Sequence, residues 1–155
     1  MMNKTTAFLG LGNPLKGDDA AGIYFVKKLK KELESEKNEV FKRADFFIAG
    51  NDPLSFAFKI VNVKYKRVVL VDACIFEGNP GDVKVFSSED ILSQNFVITT
   101  HNYDLGIFLK TLEKSGVEVI LIGVLPENVD ESEEISDIIK KSYEDFKKKA
   151  LSLIL

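Results

Sequence analysis

The sequence predicts an α/β fold: a three-layer α/β/α sandwich around a mostly parallel or mixed sheet of about five strands. Three observations carry this. Apolar runs of strand length alternate along the chain with longer amphipathic stretches, which is the order of a sheet covered by helices. The run Arg67-Val68-Val69-Leu70-Val71-Asp72 is continuously apolar and β-branched instead of alternating, as in a central strand buried on both faces. The first apolar run, residues 6–11, is broken sharply by Gly12-Asn13-Pro14 before a helical pattern begins, which is a strand, a turn and a helix start.

Taken in order, residues 23–37 carry Ile23, Phe25, Val26 and Leu29 on one stripe and a Lys/Glu-rich remainder, predicting a surface helix. Residues 40–48, with the pair Phe46-Phe47, predict a second strand. Gly50-Asn51-Asp52-Pro53 ends it with turn chemistry and places proline at the start of a short helix over 54–61. After the central strand, expected to end on Asp72, residues 76–81 form a turn, and 82–87 alternate as a strand near the sheet edge. Ser87-Ser88-Glu89-Asp90 offers a cap for a helical turn. Residues 96–102 pass from an apolar run to a polar turn, where Asn102 can cap a helix built on Leu105, Phe108, Leu109 and Leu112 and ended by Gly116. Residues 118–124 are the last core strand, and Ile135, Ile138, Ile139, Tyr143, Phe146 and Ala150 mark one long closing helix.

Length and composition bound the function. A chain of 155 residues suits a single domain, 1–155, and no repeat, linker or low-complexity segment divides it. A net charge of -3 and a pI near 5.3 argue against a nucleic-acid partner, which requires a basic face. One cysteine, Cys74, excludes an intramolecular disulfide and fits a reducing compartment. The start of the chain leads directly into a core strand without signal-peptide character, and no apolar run is long enough to cross a bilayer, so a cytoplasmic protein with no membrane partner is expected.

Parallel strands bring their carboxyl ends to one edge of the sheet, where ligands bind. Three polar residues fall at such places: Asp19 after the first strand, Asp72 at the end of the central one, and His101 at a turn into a helix, the one histidine in the chain. Asp18 follows a glycine and precedes the helical stripe, so it is expected to be the N-cap, leaving Asp19 to face the cleft. Each residue alone has a structural explanation: a carboxylate at a helix dipole, an aspartate capping a turn, a hydrogen-bonded histidine. Together, two carboxylates and an imidazole suit a borderline divalent metal such as zinc, nickel or copper, with coordination positions left open. Periodicity alone does not identify the chemistry. Cys74 shares a strand face with Asp72 and could pair with a histidine as a nucleophile, but no third group orients that pair, and a small core residue is the simpler reading.

The blocks Gly10-Leu11-Gly12-Asn13-Pro14-Leu15-Lys16-Gly17-Asp18-Asp19-Ala20-Ala21-Gly22, Val71-Asp72-Ala73, Thr100-His101-Asn102 and Gly123-Val124-Leu125-Pro126-Glu127 resemble those of the hydrogenase maturation endopeptidases. The blocks span nearly the whole chain in the same order. The resemblance implies a phosphorylase/hydrolase-like sandwich and an aspartic-type endopeptidase that removes the C-terminal peptide of a nickel-iron hydrogenase large-subunit precursor. It further implies that Asp19, Asp72 and His101 are the catalytic and metal-binding residues, that the nickel arrives with the precursor, and that no organic cofactor is needed. One departure stands out: many members have an Asp-Gly-Gly-like segment after the second strand, where this chain has Ala49-Gly50-Asn51-Asp52. Two other readings start from the first block. A peptidyl-tRNA hydrolase-like esterase lacks the expected histidine segment here, and a non-catalytic dinucleotide-binding module lacks Gly-x-Gly-x-x-Gly spacing and would meet repulsion from Asp18-Asp19.

Overall fold

The computed structural model describes residues 4–93, 97–98, 105–132 and 134–155. Its sheet has the order β2-β1-β3-β6-β4, built from β1 (Thr6–Leu11), β2 (Ala44–Gly50), β3 (Arg67–Ile75), β4 (Val83–Ser87) and β6 (Glu118–Val124). The strands β2, β1, β3 and β6 run parallel, and β4 closes one edge antiparallel to β6. A two-residue strand, β5 (Val97–Ile98), pairs antiparallel with the end of β3. The expected mixed sheet of about five strands is therefore present, with β5 as an addition.

Opposite faces of β3 explain its unbroken apolar sequence. Val68, Leu70 and Cys74 enter one core layer with Ala57 and Ile60 of α2 (Ala57–Val63), Ile91 of α3 (Ser88–Ser93) and Phe108, Leu109 and Leu112 of α4 (Leu105–Lys114). Val69 and Val71 enter the other with Phe25, Val26, Leu29 and Leu33 of α1 (Ala21–Ser35), Ile139 of α5 (Asp137–Lys141) and Tyr143, Phe146 and Ala150 of α6 (Tyr143–Ser152). With no wet face, no polar alternation is required. Phe25 and Phe146 stack with centroids 4.7 Å apart and are wholly buried, each contributing about 2 kcal/mol from area removed from water.

Several boundaries differ from the expectations. Residues 39–43 form a 3-10 turn capped by Asn38, whose side-chain oxygen accepts the Val40 amide, so β2 begins at Ala44. The helix expected over 54–61 opens with a 3-10 turn, Leu54–Phe56, before α2. The closing helix divides at Ser142, whose single O–H donates to the Gly81 carbonyl (2.6 Å), with the Ile138 carbonyl as the alternative acceptor at 2.9 Å. At α3 the expected cap is present: Ser87 Oγ accepts the Asp90 amide, and Asp90 Oδ2 accepts the Ser87 amide. The expected Asn102 cap lies outside the described residues. Among the described residues, no helix is long and apolar enough to cross a membrane.

Candidate active site

The candidate site lies where β1 ends beside β3. Their register places Gly10 beside Val71, and β6 continues it with Gly123 beside Asp72. Past Leu11 the chain turns at Gly12, whose φ of 132° is closed to ordinary L-residues; a Cβ there would lie 2.0 Å from the Asp19 carbonyl oxygen. Only glycine allows the end of β1 and the Asp19 backbone to touch. Asp19 belongs to the 3-10 turn Gly17–Ala20, which packs on β3 and leads into α1. The turn of chain is fixed from the other side by Gly50, whose carbonyl accepts the Gly12 amide at 3.0 Å. The segment that departs from the family pattern, residues 49–52, thus abuts the turn that carries Asp19.

Asp19 has no exposed surface, and its Oδ2 accepts the Asn13 amide at 2.9 Å. Asp72 is also fully buried, with Oδ1 accepting the Ala73 amide at 2.8 Å. Backbone donors orient both carboxylates, as buried polar groups require. Both carboxylates are buried. Burial first, then the negative charges of Asp72 and Asp19, push the Cys74 thiol well above its ordinary value. Cys74 is wholly buried in the core, its thiol directed at the Asp72 carbonyl at 3.7 Å, which fits the small-core-residue reading and not an activated nucleophile.

Two expectations near the site change. The central strand does not end on Asp72 but continues three residues, because Cys74 and Ile75 gain a partner in β5, where Cys74 pairs with Ile98. Asp18 is not an N-cap. The 3-10 turn has no side-chain cap, and Asp18 instead reaches across the molecule to accept the amides of Glu127 (2.9 Å), Asn128 (3.0 Å) and Ser136 (2.7 Å) and the Ser136 hydroxyl (2.7 Å). The helix N-terminus pattern in the sequence masked this. The one local signal for it was the turn chemistry of Pro126-Glu127-Asn128, which exposes backbone amides needing an acceptor. His101, the third expected site residue, lies outside the described residues; Ile98, three positions before it, is paired with Cys74, and α4 begins at Leu105. Among the described residues no group of three or more His, Cys, Asp and Glu side chains is arranged to hold a metal.

A family model described as hydrogenase maturation protease (HycI) matches residues 23–153 of this chain. A Methanocaldococcus jannaschii relative, provisionally named a hydrogenase maturation protease, is 33% identical over 129 residues, covering 82% of this chain and 75% of its own. The crystal structure of a [NiFe] hydrogenase maturation protease HycI from Thermococcus kodakarensis superposes with a TM-score of 0.78 at 28% identity, over 97% of this chain and 92% of that one. The solution structure of the endopeptidase HycI from Escherichia coli gives a TM-score of 0.75 at 26% identity, over 96% and 90%. The shared sheet and the match across most of the chain lead to one conclusion: this chain belongs to the hydrogenase maturation protease family and is a peptidase.

Proposed function

We propose that this peptidase removes the C-terminal peptide of a nickel-loaded nickel-iron hydrogenase large-subunit precursor, and that Asp19, Asp72 and His101 engage the nickel that the precursor carries. The observation supporting it most is that Asp19 and Asp72, 53 positions apart in sequence, are both wholly buried carboxylates and each is held by a backbone amide, Asp19 on the turn after β1 and Asp72 in β3. Two carboxylates and an imidazole are a donor set for a borderline divalent ion, and three protein donors leave positions for precursor thiolates or water. The nickel is part of the substrate. In this reading the carboxylates, each held by a backbone amide, grip the ion in a fixed geometry and so align the scissile bond beside it, and a carbonyl polarised by the metal, or water activated on it, is the chemical step. Residues 49–52 touch Gly12 through Gly50, and in this reading they contact the precursor and bear on which one is accepted. A cytoplasmic site of action follows from such a substrate.

The test is co-expression with hydrogenase large-subunit precursors, with and without nickel, followed by mass measurement of their C-termini. One shortened product that forms only with nickel is expected; nickel-independent trimming, or none with any precursor, contradicts the reading.

A further inference from the structure

The buried Asp18 carboxylate is used by no step above. It is wholly buried, yet it accepts four hydrogen bonds, all from residues 109 to 118 positions away. Its own amide donates to the Asn128 carbonyl at 2.7 Å. Two further bonds join the same pair of segments: the Gly17 amide donates to the Ser132 carbonyl (2.6 Å), and the Ser132 amide to the Leu15 carbonyl (2.9 Å). Successive residues of a 3-10 turn point about 120° apart. Asp18 therefore faces the segment 125–136 while Asp19 faces Asn13, whose amide it accepts. The Asp19 amide closes the same turn by donating to the Lys16 carbonyl at 3.0 Å. Turn 13–19 is thus bonded on one side to the segment after β6 and on the other to the Asp19 carboxylate. Between the two segments lies a cleft of about 370 Å³, lined by Asn13, Leu15, Lys16, Glu131 and Ser132.

We propose that Asp18 is a positioning residue: it locks the segment following β6 onto the turn that carries Asp19, and through that turn it sets the orientation of the Asp19 carboxylate. A charged acceptor suits this role because bonds to a carboxylate are about twice as strong as neutral ones. Asparagine has the same shape but presents an amide NH₂ where the second oxygen stood, facing backbone donors with another donor. The inference rests on the reading of Asp19 as a site residue for its catalytic consequence, but the mechanical coupling is measured without substrate.

The experiment compares wild type, Asp18→Asn and Ser136→Ala by residue-resolved amide hydrogen exchange and by kcat and KM for precursor processing. In Asp18→Asn, exchange is expected to rise at least tenfold at Glu127, Asn128 and Ser136, and equally at Asn13, Gly17 and Asp19, with α6 unchanged. The kcat should fall at least tenfold at a temperature where the variant is fully folded. Ser136→Ala removes one hydroxyl bond and should shift the same amides by a smaller factor, and it decides the matter if Asp18→Asn does not fold. Exchange that rises only within 127–136, with Asn13 and Asp19 unmoved, overturns the coupling. A folded Asp18→Asn with kcat within twofold of wild type reduces Asp18 to a stability residue. If wild type fails to process any precursor, the proposed function fails, while the exchange data still decide the coupling.

Discussion

Gly22 lies so close to Val71 that a methyl group on its α carbon would stand 2.0 Å from the Val71 carbonyl oxygen and 2.6 Å from that of Leu11. The first turn of α1 is thereby seated on the seam between β1 and β3. Three residues before Gly22 is Asp19, and one residue after Val71 is Asp72, so this contact holds together the backbone segments that carry the two carboxylates. The glycine is a spacer of zero thickness.

Gly22→Ala tests that contact. Helix propensity alone favours alanine by about 1 kcal/mol, but overpacking against two carbonyls costs about 3 kcal/mol, so the steric term wins. Urea unfolding should show a net loss of about 2 kcal/mol, and precursor processing should fall in the folded variant. A Gly22→Ala protein as stable and as active as wild type would refute the spacer role.

Cys74 is expected to be chemically silent. Its thiol is buried and held protonated through neutral pH by burial and by the charges of Asp72 and Asp19, and only a thiolate reacts readily. Iodoacetamide at pH 7 should leave processing by the native protein intact, and Cys74→Ala should retain it. Rapid inactivation that Cys74→Ala escapes would restore the cysteine as nucleophile.

The α1–α6 contact carries a pH dependence. Burial alone would raise the Glu32 carboxyl; the Tyr143 hydroxyl stands near it but makes no well-formed hydrogen bond, so the Lys147 ammonium, at 3.2 Å, is the physical cause that holds Glu32 below its ordinary 4.5. A carboxyl whose folded value is depressed stabilises the fold above its unfolded value and loses that contribution as pH falls through the folded one. Because the pair is partly solvated, screening limits it to about 0.5 kcal/mol. Glu32→Gln should therefore be slightly less stable than wild type at pH 7, with the gap closing below pH 4.5 in paired urea titrations. A gap that widened in acid would reverse the assignment.

Much of the frame was legible because it rests on patterns that burial imposes locally. The β3 run carried its own evidence for a two-faced core, and β6 matches its expected span residue for residue. Asp19 and Asp72 were legible as polar residues set in or beside apolar runs; the structure places Asp19 in the turn after β1 and Asp72 within β3. What escaped was set by partners distant in sequence. Asp18 looks like a cap to its neighbours, and its true donors begin 109 positions later. Likewise β3 extends to Ile75 because β5 supplies hydrogen-bond partners, a fact no property of residues 73–75 announces. At Ser142, where the last helix divides, the hydroxyl bonds the Gly81 carbonyl, 61 positions away in sequence.

The central claim is that Asp19 and Asp72, with His101, act on the nickel of a precursor. Its most direct measurement is the rate of C-terminal processing of one purified nickel-loaded precursor by wild type, Asp19→Ala, Asp72→Ala and His101→Ala, each confirmed folded by circular dichroism. Loss of one metal-ligand contact should lower the rate by about 100-fold or more in every variant. Processing by all three variants at the wild-type rate would contradict the account.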